Sequence, residues 1–135
     1  MNPDILFRFL LALVIIAIGV GFYWFNNRLI LGRAPKDSLG ESISQSGKPV
    51  ILYFTTPTCA PCKTVQKPAI SQIKEALGEM LHIVEIDATQ QPDLAQRWGV
   101  LSVPTTFVID SRGQARYVNH GVAHAEKLLK QLHGL

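Results

Sequence analysis

The sequence predicts an α/β domain, a central mixed β-sheet flanked by helices, behind an N-terminal transmembrane helix. Three observations carry that prediction. From Val50 onward, β-rich apolar runs alternate with helix-like segments. Strand, helix, strand, helix, then a hairpin and a last helix is the order of a mixed sheet covered on both faces. The first run, Val50 to Thr55, is apolar at nearly every position, as an interior strand buried on both sides must be. Finally, an apolar and glycine stretch from Phe9 to Phe25 continues back past Arg8 through Ile5-Leu6-Phe7. At 1.5 Å per residue it covers roughly 30 Å, the thickness of a bilayer core.

Tyr23 and Trp24 close that stretch, where interfacial aromatics belong. Residues 1–25 are therefore expected to be a single-pass anchor that meets the lipid bilayer through residues 5–25. A cleaved signal peptide is the competing reading, with Gly19-Val20-Gly21 as a small-x-small site. The apolar run continues past that site through Phe22 to Phe25, and few positive charges precede it. Residues 26–36 form a basic juxtamembrane linker ending in Ala34-Pro35, and residues 37–135 form the domain.

Within the domain, Asp37 to Ser46 predicts a short helix with Leu39 and Ile43 four apart. Gly47-Lys48-Pro49 turns the chain into the first strand. Val65, Ile70, Ile73, Ala76 and Leu77 then keep helical spacing up to Gly78, with Pro68 inside the helix as a predicted kink. Leu81 to Ile86 predicts a second strand closing on Asp87. Pro92 to Trp98 predicts a short helix, with Pro92 in its first turn and Gly99 at its end. Thr105 to Ile109 predicts a third strand. Ser111-Arg112-Gly113 turns it into a fourth, Gln114 to Val118, giving a hairpin. Gly121 precedes a final amphipathic helix, about Ala123 to Leu132. Trp98 is expected in the core or beneath the active-site loop.

Thirteen Lys and Arg oppose ten Asp and Glu, a net charge of +3. The location of that excess argues against nucleic acid as a partner. Residues 1–36 hold Arg8, Arg28, Arg33 and Lys36 against Asp4 alone, which leaves nine of each sign in the remainder. Three of the four basic residues follow the apolar stretch, so the positive-inside rule places the domain in the cytoplasm. The alternative is an exoplasmic domain acting on thiols of exported proteins, as in cytochrome c maturation.

The chemistry lies in Cys59-Ala60-Pro61-Cys62, which contains the only two cysteines of the chain. A strand delivers them to the first turn of a helix. There, unpaired N–H groups and the positive end of the peptide dipoles favour a thiolate at Cys59. Cys62, three residues on, shares that face and is placed to attack whatever Cys59 has bonded to. Pro61 is tolerated because a first-turn N–H has no intrahelical partner to lose. Thiol–disulfide exchange is the expected reaction. The expected partners are protein disulfides or dithiols and an unidentified electron donor or acceptor. No cofactor and no metal are expected. A second class is a zinc module in which Cys59 and Cys62 join His120 and His124, although the gap is far longer than in finger motifs. A third is a redox-silent adaptor that holds a peptide at the membrane.

Over residues 37–135 the chain resembles the thioredoxin family. The residues that carry the resemblance are the first strand with Cys59-Ala60-Pro61-Cys62-Lys63, Val84-Glu85-Ile86-Asp87, Arg97-Trp98-Gly99-Val100, Val103-Pro104-Thr105, and Gly121 before the last helix. The resemblance implies the thioredoxin fold and a redox-active Cys59–Cys62 disulfide. It also implies a cis Pro104 packed against the sulfurs, and a Val103 backbone that pairs with an extended substrate peptide. Pro61, Val103, Pro104 and Thr105 are thereby implied as active-site support and substrate-backbone contacts. Three family positions differ. Thr58 stands where a Trp is usual. Tyr53 stands where a buried Asp helps deprotonate the second cysteine, and Ile83 is matched to the Lys that pairs with that Asp. Pro68 also falls one residue later than in typical members.

Overall fold

Val50–Thr55 forms strand β1, buried along its whole length as the unbroken apolar run predicts. It lies between β2 (His82–Asp87), to which it is parallel, and β3 (Thr105–Ile109), to which it is antiparallel. β4 (Ala115–His120) pairs antiparallel with β3, so the expected hairpin is present and the sheet order is β2-β1-β3-β4. This computed structural model describes residues 3–32, 42, 43 and 45–135.

The chain divides into two compact units, Met1–Ile30 and Leu31–Leu135. In the first, helix α1 spans Pro3–Gly32 and its apolar side chains are exposed. Its most apolar stretch has a mean hydropathy of 2.7, so it is long and apolar enough to cross a membrane, a test that a signal sequence also passes. The helix runs on to Gly32, into the stretch read as a linker. Residues 33–36 of that linker lie outside the described residues. So does most of the helix expected from Asp37 to Ser46, of which Ser42, Ile43 and Gln45 are helical.

In the second unit, successive side chains of a strand point to opposite faces of the sheet. Ile51 and Val108 on one face pack with Ile73, Leu81, Ala123 and Leu128. That cluster lies under helices α2 (Lys67–Leu77) and α4 (Ala125–His133). On the other face Phe107 meets Trp98 edge to face at 5.0 Å, just beyond the short helix α3 (Pro92–Arg97). Phe54 meets the same ring at 6.0 Å. Trp98 is thus a core residue, 3% exposed.

Two helices differ from expectation, each for a visible reason. The helix after the cysteines is not one α-helix kinked at Pro68. Cys62–Gln66 is a π-helical turn in which the N–H of Lys67 reaches back five residues to the Cys62 carbonyl. Pro68 then falls in the first turn of α2, where its missing N–H breaks no α-helical bond. The last helix begins at Ala125 rather than Ala123. His124 is extended, with ψ 157°, so the helix starts only after it, and Ala123 pairs instead with a side chain from elsewhere.

Candidate active site

The chain leaves β1 at Thr55 and turns through Pro57 and Thr58, with the Cys59 N–H donating to the Thr56 carbonyl at 3.2 Å. The helical backbone begins at Ala60, which puts Cys59 at the capping position. The N–H of Cys62, third in the helix, donates to Cys59 Sγ at 3.2 Å. This is the bond that an oxygen-bearing cap would accept, made here to sulfur. In the reduced pair the same N–H and the helix terminus stabilise negative charge on Cys59. The two cysteines are joined in a disulfide, with Sγ atoms 2.02 Å and Cα atoms 5.3 Å apart. Cys59 is 8% exposed and Cys62 is wholly buried, so a protein-sized disulfide can reach only the first. Pro61 is exposed in the first turn beside them.

Val103, half-buried, packs against the cluster of Tyr53, Cys59, Cys62 and Ile70. The peptide between Val103 and Pro104 is cis, and Pro104 is buried. Thr105, the first residue of β3, is buried and its hydroxyl donates to the Ser102 carbonyl at 2.7 Å. The structure therefore gathers Cys59, Cys62 and Val103 at one apolar cluster, with Pro104 and Thr105 following directly in the chain. His120 ends β4 and His124 caps α4, and both are exposed. Among the described residues, no three His, Cys, Asp or Glu side chains are grouped to share a metal ion.

Tyr53 occupies the position below the cysteines. Its hydroxyl donates to the Cys62 carbonyl at 3.4 Å. Burial pushes its phenol above the ordinary value of 10.0; a hydrogen bond with Thr55 works the other way, and the Glu85 carboxylate adds to the rise. The group stays neutral through the working range, so it cannot take a proton from Cys62. A phenol whose pKa is raised by folding contributes fully below pH 10, and that contribution is lost as pH climbs through the raised value. Tyr53→Phe should cost about 1 kcal/mol of stability. It should also leave the disulfide-exchange rate near pH 7 within about twofold of wild type, in stopped-flow measurements of Cys62 resolution.

Ile83 packs against the cluster of Tyr53 and the two cysteines. The residue in register with Tyr53 on the neighbouring strand is Glu85, while Ile83 pairs with Ile51. Glu85 meets Lys67 Nζ at 3.2 Å, and both side chains are about half exposed, a geometry that contributes little to stability. Together with Tyr53, Ile70 and Ile83 they line an open groove of about 500 Å³ between α2 and β2. The parallel register that places Glu85 there is set by tertiary packing. A second residue, Gln66, carried a sequence signal. It shares the inward stripe of Ile70, Ile73 and Leu77 and is the polar member of that face.

The sequence signature of the thioredoxin family matches residues 33–134. A thioredoxin-like protein of Synechocystis is 30% identical over 95 residues, covering 70% of this chain and 89% of that protein. The chloroplastic thioredoxin Y of rice is also 30% identical over 95 residues, and there the match covers 70% of this chain and 55% of its length. Among solved structures, a thioredoxin from Nicotiana alata superposes with a TM-score of 0.62 at 26% identity, over 70% of this chain and 79% of that one. Strand order, dithiol geometry and sequence agree, and the chain belongs to the thioredoxin family.

Proposed function

We propose that this chain is a membrane-anchored thiol–disulfide oxidoreductase that exchanges disulfides with protein clients through Cys59 and Cys62. The observation that carries this reading is the asymmetry of the pair. One sulfur stands at a helix start and accepts an N–H, while the other is sealed one turn behind it. Cys59, as thiolate, attacks one sulfur of a client disulfide. That S–S bond breaks, and the other client sulfur leaves as a thiolate and takes a proton from water. Cys62 loses its proton to solvent and attacks Cys59 Sγ. The mixed disulfide breaks, and the second client sulfur departs and is protonated. Two electrons have passed from the dithiol to the client, and the chain is left with the Cys59–Cys62 disulfide. The reverse sequence oxidises a client dithiol. A dithiol donor or a disulfide acceptor must then reset the pair.

The other site residues serve the approach of the client. An extended client segment lies along the Val103 backbone beside Pro104 by strand addition, and Pro61 and Thr105 hold the two turns that face it. In this reading helix α1 is a single-pass anchor with the domain on the cytoplasmic side, supported by the basic residues that follow its apolar core. The test is insulin reduction by the full-length chain in detergent, with dithiothreitol as the donor. The chain should accelerate precipitation of the insulin B chain well above dithiothreitol alone, and a rate equal to that background would overturn the reading.

A further inference from the structure

Gln66 is wholly buried, and its amide must find partners there or destabilise the fold. It finds both on one residue. Its Nε2 donates to the Ala123 carbonyl at 3.0 Å, and the Ala123 N–H donates to its Oε1 at 2.8 Å. The side chain thus pairs with backbone as one strand residue pairs with another across an antiparallel ladder. What it joins is specific. Gln66 closes the π-helical turn that starts at Cys62. Ala123 lies two residues beyond Gly121, whose N–H donates to the Pro104 carbonyl at 2.9 Å. Gly121 sits at φ +86°, a conformation that suits glycine. A short run of chain and hydrogen bonds therefore leads from the turn of the second cysteine, through one amide, to the segment holding Val103 and Pro104.

We propose that Gln66 is a positioning residue for disulfide exchange: its buried amide fixes the sulfur-bearing turn against the Val103–Pro104 segment. A polypeptide disulfide then meets Cys59 while its backbone lies along Val103. The inference rests on the dithiol reading above and adds a residue that touches neither sulfur nor client. It also separates two kinds of substrate. A protein disulfide needs the sulfur and the strand contact in register, whereas a small disulfide needs only the sulfur. Without the amide, the Ala123 N–H and carbonyl are left buried and unpaired, so the loop that carries them must move.

The experiment compares insulin with hydroxyethyl disulfide as substrates for the full-length chain in detergent. In Gln66→Leu, kcat/KM for insulin should fall about tenfold, short of the hundredfold that an ångström of misplacement can cost. The rate on hydroxyethyl disulfide should stay within about twofold of wild type, because its reaction does not use the strand contact. Gln131→Leu is the control for stability alone. It removes an equal number of amide bonds, the part-buried pair of 2.9 and 3.0 Å with Asn119, and should leave the substrate ratio as it is in wild type. Gln66→Glu guards against a variant that fails to fold. As a carboxylic acid the new side chain can both donate to and accept from Ala123, and as a carboxylate it can only accept. Its insulin defect, taken relative to wild type at each pH, should therefore be smaller near pH 6 than near pH 9, burial raising the pH of the change. Equal slowing on both substrates, the same split in Gln131→Leu, or a Gln66→Glu defect that ignores pH would each overturn the proposal while leaving the dithiol reading intact. A wild-type chain that reduces neither disulfide would bring down both.

Discussion

Cys62→Ser should turn the chain into a covalent trap. Cys59 keeps its capping position and its helix terminus, so it still attacks a client disulfide. Nothing stands behind it to break the mixed disulfide, and the adduct persists. Non-reducing gels of membranes from cells expressing this variant should show client bands shifted by the mass of the chain, removed by dithiothreitol. Cys59→Ser should give no adducts and no turnover at all, because the sealed Cys62 cannot reach a protein-sized substrate. The pair of variants is more telling than either alone. Adducts through Cys62, or none through Cys59, would contradict the assignment of attacking and resolving sulfurs. The second outcome would favour a redox-silent adaptor.

Phe107→Ala should be the most destabilising single truncation in the domain. Phe107 is fully buried on β3, between β1 and β4, and meets both Phe54 and Trp98 edge to face. Removing the ring takes away its burial and leaves two aromatic neighbours facing a void, at a cost of about 3–5 kcal/mol. Against a total stability of about 5–15 kcal/mol, that leaves the domain close to unfolding. Phe107→Leu keeps most of the volume and should cost under about 1.5 kcal/mol. Urea melts of the full-length chain in detergent, followed by near-ultraviolet circular dichroism, measure both. A loss below about 2 kcal/mol for the alanine variant would mean that the face between β3 and α3 can close over the gap.

The elements that stood out in the sequence were those whose burial is decided by their own residues. Val50–Thr55 and Thr105–Ile109 appear with the expected ends because each is an unbroken run of β-branched, aliphatic and aromatic residues bounded by turn or proline signals. Strands with mixed patterns drifted. β2 begins one residue later than expected, and β4 runs on to His120, since their ends are fixed by ladder partners on β1 and β3. The π-helical turn at Cys62 was legible only as a displaced proline. By the family resemblance Pro68 comes one residue late, and the backbone absorbs it with one widened turn ahead of the proline. Glu85 beside Tyr53 had no local signal, because a parallel register depends on the crossover that brings the two strands together.

The residues alone determined where the sulfurs lie: two of them three apart at the head of a helix, behind an apolar strand. Capping and dipole effects act within a single turn, so they can be read from neighbours in the chain. They also marked residues 5–25 as the apolar core of one long helix, since length and hydropathy are local properties, although the helix itself runs on to Gly32. Only the tertiary structure decided that Val103 packs against those sulfurs and that Gln66 reaches Ala123 across 57 positions. Contacts between distant segments depend on how the two faces of the sheet are covered, and that packing is a property of the whole domain.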